Sequence, residues 1–360
     1  MIYYAQLIVF QLIKKNINLL NFNFIMKNQT IIDFWGIGAQ KAGTSWLYYN
    51  LSKSPGFAIP PVKEFHYFDR DKKYPSPNHL STTKTKNRIG SLHYLKKAGR
   101  SILSSLLKGK TKDVVFSFKW FFSDYSDEWY KSIFNIYNGI KGEITPSYSM
   151  LSKEDISRMY AMAPDAKLVF MLRNPIDRAW SHFRHINKRI KGFTLDSVEE
   201  KEILAFMQSE GQELRSDYTR TLENFTSVFP KEQILIGFYD AIIEAPEQLL
   251  QEVIQFIAPG LETAEILRNS WNKEDSPTKK VVNKSIELDC PNVVLALLKE
   301  KYHDMILDLS NQYEGYFNKW YCETYDKPSV NKGDRLFPTI LLSLQLVKIY
   351  YLSVHPLCEI

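Results

Sequence analysis

Residues 34–47 read Phe34-Trp35-Gly36-Ile37-Gly38-Ala39-Gln40-Lys41-Ala42-Gly43-Thr44-Ser45-Trp46-Leu47. An apolar run stops at Gly38, a short turn follows, and Thr44–Leu51 reads as a helix, so the stretch predicts strand, turn and helix. Glycines let such a turn aim its N–H groups at one point, and the helix behind it adds the positive end of its dipole. Lys41 supplies a full charge, and Thr44 and Ser45 supply hydroxyl donors. These are parts for holding an anion. The lysine precedes the glycine and no Gly-Lys-[Ser/Thr] follows, so the turn is not a Walker A loop. On spacing alone an ordinary strand–helix connection capped by Thr44 fits as well.

The same order recurs downstream. Lys167–Leu172 is a strand candidate that runs into Arg173-Asn174-Pro175 and a helix-like segment over Ile176–Lys188, with Pro175 suited to the first helical position. Gln233–Phe238 is a third strand candidate. It is followed by Pro246–Ile257, where Leu249, Leu250, Val253 and Ile257 recur at helical spacing. Strands alternating with helices predict an α/β fold: three layers, with a central parallel sheet between helices. In such sheets ligands bind beyond the carboxyl ends of the strands. Arg173 stands at one strand end, and Ser181 lies two helical turns beyond it. Taken alone, that arginine could simply pair with Asp177.

The bulk composition sets the frame. With 360 residues, 44% hydrophobic and 14% aromatic, the chain has ample material for one large domain. The net charge of +6 is compatible with a cleft that attracts anions, or with plain solubility. Cys290, Cys322 and Cys358 form no C-x-x-C pair, so no zinc or dithiol motif is expected. A Cys290–Cys322 bridge stays open. Residues 1–25 form an apolar, Asn-rich extension whose lysines, Lys14 and Lys15, follow the apolar run, the wrong order for a signal peptide. Translation from Met26 and a short membrane anchor are competing readings. Residues 326–360 form a C-terminal tail whose stretch 336–354 predicts an amphipathic helix on the domain or on a membrane surface. The main domain is placed at 26–325, and a cytoplasmic location is expected, with a membrane-tethered or Golgi-type form as the alternative. Residues 71–112 read as a long polar surface excursion, and the aromatic run 116–130 as core or as a sugar-stacking surface.

The two phosphate-type turns together resemble the sulfotransferase family. The order Gly38, Lys41, Gly43, Thr44, Ser45 resembles its 5′-phosphosulfate loop, and Arg173-Asn-Pro-x-x-Arg178-x-x-Ser181 is similar to its 3′-phosphate motif. Glu143-Ile144-Thr145-Pro146-Ser147-Tyr148 resembles the E-x-T-P-x-Y segment of carbohydrate sulfotransferases. Lys63-Glu64-Phe65-His66-Tyr67-Phe68-Asp69 resembles the K-E-x-H-F-F stretch of heparan sulfate enzymes and their bacterial relatives. Ile144 departs from the lysine that some heparan-type enzymes carry there.

The resemblance implies a kinase-like P-loop fold and transfer of a sulfuryl group from 3′-phosphoadenosine 5′-phosphosulfate (PAPS) to a hydroxyl or amine, with a carbohydrate as the expected acceptor. It implies no metal and no nucleic-acid partner. Lys41 is expected at the leaving-group oxygen, and Ala42, Gly43, Thr44, Ser45 and Trp46 around the 5′-phosphate. Arg173 and Ser181 are expected on the 3′-phosphate, Tyr218 beside the adenine, and Lys279 and Lys280 in a basic loop over the cofactor. The general base is expected to be Glu64 or His66. They lie two apart and so share a face if the segment is extended, and burial would lift the Glu64 pKa toward neutrality. Glu143 is expected to be structural or to touch the acceptor. A kinase-like P-loop enzyme and a non-catalytic nucleotide- or glycan-binding module are the other readings.

Overall fold

The computed structural model describes residues 31–188, 190, 193–261, 288–313, 315–325 and 350–351. Its centre is a parallel sheet of β1 (Phe34–Gly38), β2 (Gly142–Ile144), β3 (Lys167–Leu172), β4 (Ile234–Phe238) and β5 (Tyr350–Tyr351), in the order β2-β1-β3-β4-β5. β1, β2 and β4 are buried along their whole length, and β3 at all but its first residue. Strands covered on both faces read as continuous apolar runs, which is why LVFML and ILIGF show no alternation. β1 lies in register with β2 through Phe34–Gly142 and with β3 through Phe34–Lys167. Two glycines permit that closeness. A Cβ on Gly142 would stand 2.2 Å from the Phe34 ring, and one on Gly36 would stand 2.8 Å from Ile144.

Helices follow each central strand. α1 (Thr44–Leu51) follows β1, α6 (Pro175–Asn187) follows β3, and α10 (Tyr239–Glu244) with α11 (Pro246–Ile257) follows β4. Pro175 opens α6, and the Asn174 side chain accepts the Ile176 N–H at 3.0 Å, so this start is set locally. Because the strands are parallel, the turns after β1, β3 and β4 all leave from one edge of the sheet. That edge carries the candidate site.

Before β2 the chain forms α2 (Leu92–Leu107), α3 (Thr111–Phe122) and α4 (Asp127–Phe134). The polar excursion expected over 71–112 thus contains a sixteen-residue helix, started by Ser91, whose hydroxyl accepts the Tyr94 N–H. The aromatic run is mostly core. Phe116, Phe121, Tyr125, Trp129 and Tyr130 are buried, and Phe116, Trp129 and Tyr130 pack with Phe65 and Tyr67. After β2 come α5 (Lys153–Met162), and after α6 come α7 (Glu200–Met207), α8 (Glu210–Ser216) and α9 (Tyr218–Thr226). α12 (Asn292–Gln312) and α13 (Tyr316–Thr324) close the described domain.

Tyr350 and Tyr351 fall in the stretch expected to be helical, but they pair with Leu235 and Ile236 as a parallel edge strand. The open edge of β4 offers unpaired backbone groups, and tyrosine suits a strand, so local helical patterning yields there. The rest of the C-terminal apolar stretch, and residues 1–25, lie outside the described residues. No described helix is long and apolar enough to cross a membrane. Cys290 and Cys322 are both thiols.

Candidate active site

The turn after β1 is built as its sequence demands. Gly43 takes φ +89° at the helix N-cap, and Lys41 also lies in the left-handed region at φ +74°. Gly43 is required twice over, because a Cβ there would also stand 2.2 Å from Ile242 Cδ1 on α10. No side chain caps α1 and no acidic residue sits in its first turn, so the positive end of its dipole meets no carboxylate of its own helix. The Ala39 N–H bonds the Met171 carbonyl at 2.6 Å, which ties the turn to β3. Ala42, Thr44 and Trp46 are buried, while Lys41, Gly43 and Ser45 are half-buried on the open side.

Charge converges on this turn. Burial, joined by the positive charges of Arg173, Arg184, Lys188 and Lys63, pulls the Lys41 ammonium from its ordinary 10.5 down to about 8. Arg173 stands at the end of β3, its guanidinium 4.4 Å from the centre of the Tyr239 ring and 3.9 Å from Asp177. Its Nε is buried with no hydrogen-bond partner. Cations gathered so closely that they pull the Lys41 ammonium down, with an orphaned guanidinium nitrogen among them, are an electrostatic demand for an anion. The residues therefore fit the phosphates of a nucleotide donor.

Ser181 is buried one face along α6. Arg178, between the two, points inward: it is 0% exposed, and donates from Nε to Ser216 Oγ at 2.8 Å and from Nη2 to Gln212 Oε1 at 2.6 Å. Tyr218 is also fully buried. Its hydroxyl donates to the Arg173 carbonyl at 2.7 Å, so it braces the strand end and presents no open ring face for a base. Lys279 and Lys280 lie outside the described residues.

The second half of the site is the segment 63–69. His66 takes φ +55°, so the segment is not extended there. Glu64 and His66 still meet, with Nε2 and Oε2 3.4 Å apart, because the left-handed turn brings them together. On the other side His66 Nδ1 lies 2.8 Å from Asp69 Oδ2, and Ser147 Oγ donates to the same oxygen at 2.5 Å. Burial opposes a charge on His66, but hydrogen bonds and charge from Asp69 and Glu64 outweigh it and lift the imidazole to about 9. Near neutrality His66 is therefore a cation that donates in both directions.

Glu64 departs from its expected basicity. Burial does push its pKa up, yet the His66 hydrogen bond and the Lys63 ammonium at 2.6 Å win and hold it at about 2. Near neutrality Glu64 carries no proton and His66 does, so of the two only the carboxylate is in a form that can accept one, and at about 2 it is a weaker base than the expected lift toward neutrality would have made it. Lys63 also donates to Thr44 Oγ1 at 3.3 Å, linking this segment to the turn after β1.

Glu143 explains why the segment sits there. It is fully buried at β2, and burial, against four donated hydrogen bonds, lifts it to about 7. Tyr130 and Tyr148 hydroxyls donate to Oε1 at 2.5 and 2.9 Å, and Thr145 Oγ1 and the Phe65 N–H donate to Oε2 at 2.8 and 3.2 Å. The Tyr67 N–H bonds the Tyr148 hydroxyl at 3.1 Å. The E-x-T-P-x-Y segment thus holds the K-E-x-H-Y-F segment by its backbone. Glu143 is structural and faces no open cleft.

Sequence reasoning missed Lys63, Arg184 and Lys188 as charge partners of Lys41, and Asp69 and Ser147 as partners of His66. Arg184 and Lys188 were legible in part, since 177, 181, 184 and 188 follow one helical face. Asp69 lay within the quoted motif. Ser147 reaches His66 only through the tertiary fold.

A parallel α/β sheet with a cation-lined turn beyond two adjacent strand ends has its candidate site where such sheets bind ligands. The model of the Sulfotransferase family matches residues 34–265, and the chain belongs to that family. A sulfotransferase from Alicyclobacillus acidocaldarius has the same fold, at a TM-score of 0.51 and 19% identity over 82% of this chain and 99% of its own. A sulfotransferase from Mycobacterium avium aligns at a TM-score of 0.44 and 14% identity, over 80% of this chain and 78% of its own. No curated protein sequence matches the chain. The fold is thus the kinase-like P-loop fold of sulfotransferases, and the chemistry is sulfuryl transfer.

Proposed function

We propose that residues 26–325 transfer the sulfuryl group of PAPS to a hydroxyl or amine of a carbohydrate acceptor. The observation that carries this reading is the cation cluster joining the turn after β1 to the end of β3, with Lys41 held down to about 8 at its centre. A donor with phosphates at both its 3′ and 5′ positions would answer both halves of that cluster. Arg173 and Ser181 would take the 3′-phosphate. The turn from Ala42 to Trp46 and the start of α1 would take the 5′-phosphate.

PAPS supplies the sulfuryl group and a phosphate leaving group. Glu64 accepts the acceptor's proton as the acceptor oxygen or nitrogen bonds to sulfur. The bond from sulfur to the bridging oxygen breaks, its electron pair stays on that oxygen, and Lys41 donates to the charge that grows there. His66, charged and fixed by Asp69, holds the Glu64 carboxylate in place. The carbohydrate class of the acceptor rests on the two motifs that resemble carbohydrate enzymes.

Calorimetry of 3′-phosphoadenosine 5′-phosphate against ADP, on wild type and Arg173→Ala, tests the donor. The expected result is a preference for the 3′-phosphorylated nucleotide that the variant loses. Equal binding of the two nucleotides would sink the reading.

A further inference from the structure

α2 (Leu92–Leu107) faces the domain with its less apolar side. Ala98 is its one buried residue. Around it, the Tyr94 ring meets Phe121 of α3 at 5.4 Å, and Ser101 Oγ lies 2.8 Å from Ser117 Oγ. Leu92, Leu95, Leu103 and Leu106 recur at helical spacing on another face and, with Leu107, are exposed. Leu92 is 67% exposed and Leu107 79%. A helix that served only its own core would bury that stripe, because apolar surface left in water forgoes the main driving force of folding. Twelve large apolar side chains are exposed among the described residues, and eight of them fall between Ile89 and Phe122. The exposure is therefore concentrated on this helical hairpin, whereas single exposed residues would be ordinary.

The charge beside the stripe has one sign. Residues 72–112 hold eleven Lys and Arg and no Asp or Glu. Around the helix, Lys96 falls inside the leucine stripe and Arg100 on its edge. Lys108, Lys110 and Lys112 follow Leu107 at the helix end, and all of these cations are exposed. Among the described residues Lys110 reaches Asp113 at 3.8 Å, while Lys96, Lys97, Arg100, Lys108 and Lys112 stand in no ion pair. Free cations beside exposed leucines fit a partner that is apolar and negative at once. A polyanion would use the cations and leave the leucines in water. A lipid surface uses both: the leucines enter the boundary between headgroups and acyl chains, and the lysine and arginine stems reach up to anionic headgroups.

We infer that α2 is a peripheral membrane-binding surface, which lies along a bilayer that contains anionic lipid. Such a helix rests on one face of the membrane and does not cross it. The surface is independent of the identity of the donor and of the acceptor.

The test is sedimentation of the full chain with mixed phosphatidylglycerol and phosphatidylcholine vesicles, against vesicles of phosphatidylcholine alone. Binding to the mixed vesicles is expected to be tighter by about tenfold or more, and to weaken as salt is raised. Lys96→Gln/Lys97→Gln/Arg100→Gln should weaken it about a hundredfold, at about fivefold for each removed charge. Leu103→Gln/Leu107→Gln should weaken it about tenfold or more at unchanged net charge. All five side chains are exposed, so both variants should keep the melting temperature of the wild type. Equal binding to the two kinds of vesicle overturns the inference, as does no binding to either. Binding that survives the leucine substitutions means plain charge attraction, and binding indifferent to both variants means that another part of the chain makes the contact; each overturns it too. A dimer in sedimentation equilibrium that Leu103→Gln/Leu107→Gln dissolves, with no vesicle binding, assigns the face to a second copy of the chain instead.

Discussion

Lys41 makes the donor site sensitive to pH in a way that can be worked out in advance. Its pKa in the free protein is about 8, depressed by burial and by Arg173, Arg184, Lys188 and Lys63. A bound anion favours the protonated form, so binding raises this pKa toward 10.5, and affinity must fall as pH rises through about 8. With a pKa of about 8, roughly ten in eleven Lys41 side chains are charged at pH 7 and roughly one in eleven at pH 9. The affinity for 3′-phosphoadenosine 5′-phosphate should then drop about tenfold between those two pH values, or ~1.4 kcal/mol. Its phosphates lose their second protons near pH 6, so ligand titration adds nothing across this range. His66, with a pKa of about 9, does lose charge there, which makes a control necessary. Lys41→Arg keeps its charge throughout and should show a nearly flat profile by calorimetry. If wild-type affinity stays within about twofold, or if Lys41→Arg falls as steeply, Lys41 is not the group that meets the anion.

Three further outcomes follow from the site. Glu64→Gln keeps the shape but cannot take a proton; turnover should fall by about 10²–10⁴ while nucleotide binding holds, and a rate near wild type would remove Glu64 from its role. Glu143→Gln sets an amide NH₂ against two of the four donors that now point at the carboxylate. Urea unfolding should show a loss of about 2–4 kcal/mol, and unchanged stability would mean that the buried network relaxes around the amide. Gly43→Ala places a β-carbon in a left-handed position, a strain of about 1–2 kcal/mol, and against Ile242. It should lower both melting temperature and nucleotide affinity, and Gly43→Ala/Ile242→Ala should recover only the clash. Full recovery in the double variant would mean that the backbone conformation costs nothing.

The sequence alone determined the strand–turn–helix order around Lys41 and Arg173, because each step there is a local matter. Apolar runs make buried strands, Gly43 permits the left-handed turn, and Asn174-Pro175 opens a helix wherever it stands. The bounds of α1, β3 and α11 were legible for the same reason. β2 was not legible, since three residues carry no period and become a strand only beside β1. The distinction between Glu64 and His66 was also beyond it. Both are ordinary titratable residues until the fold sets Lys63 and His66 on one and Asp69 on the other, and those contacts invert their expected protonation. Arg178 and Tyr218 tell the same story: Arg178 had a plain place in its motif and Tyr218 was expected from the resemblance alone, but only packing decided that their side chains turn into the core. Chain-local rules fix which atoms are available. Burial and the charges brought near from distant segments fix what each atom can do, and these exist only once the sheet has closed.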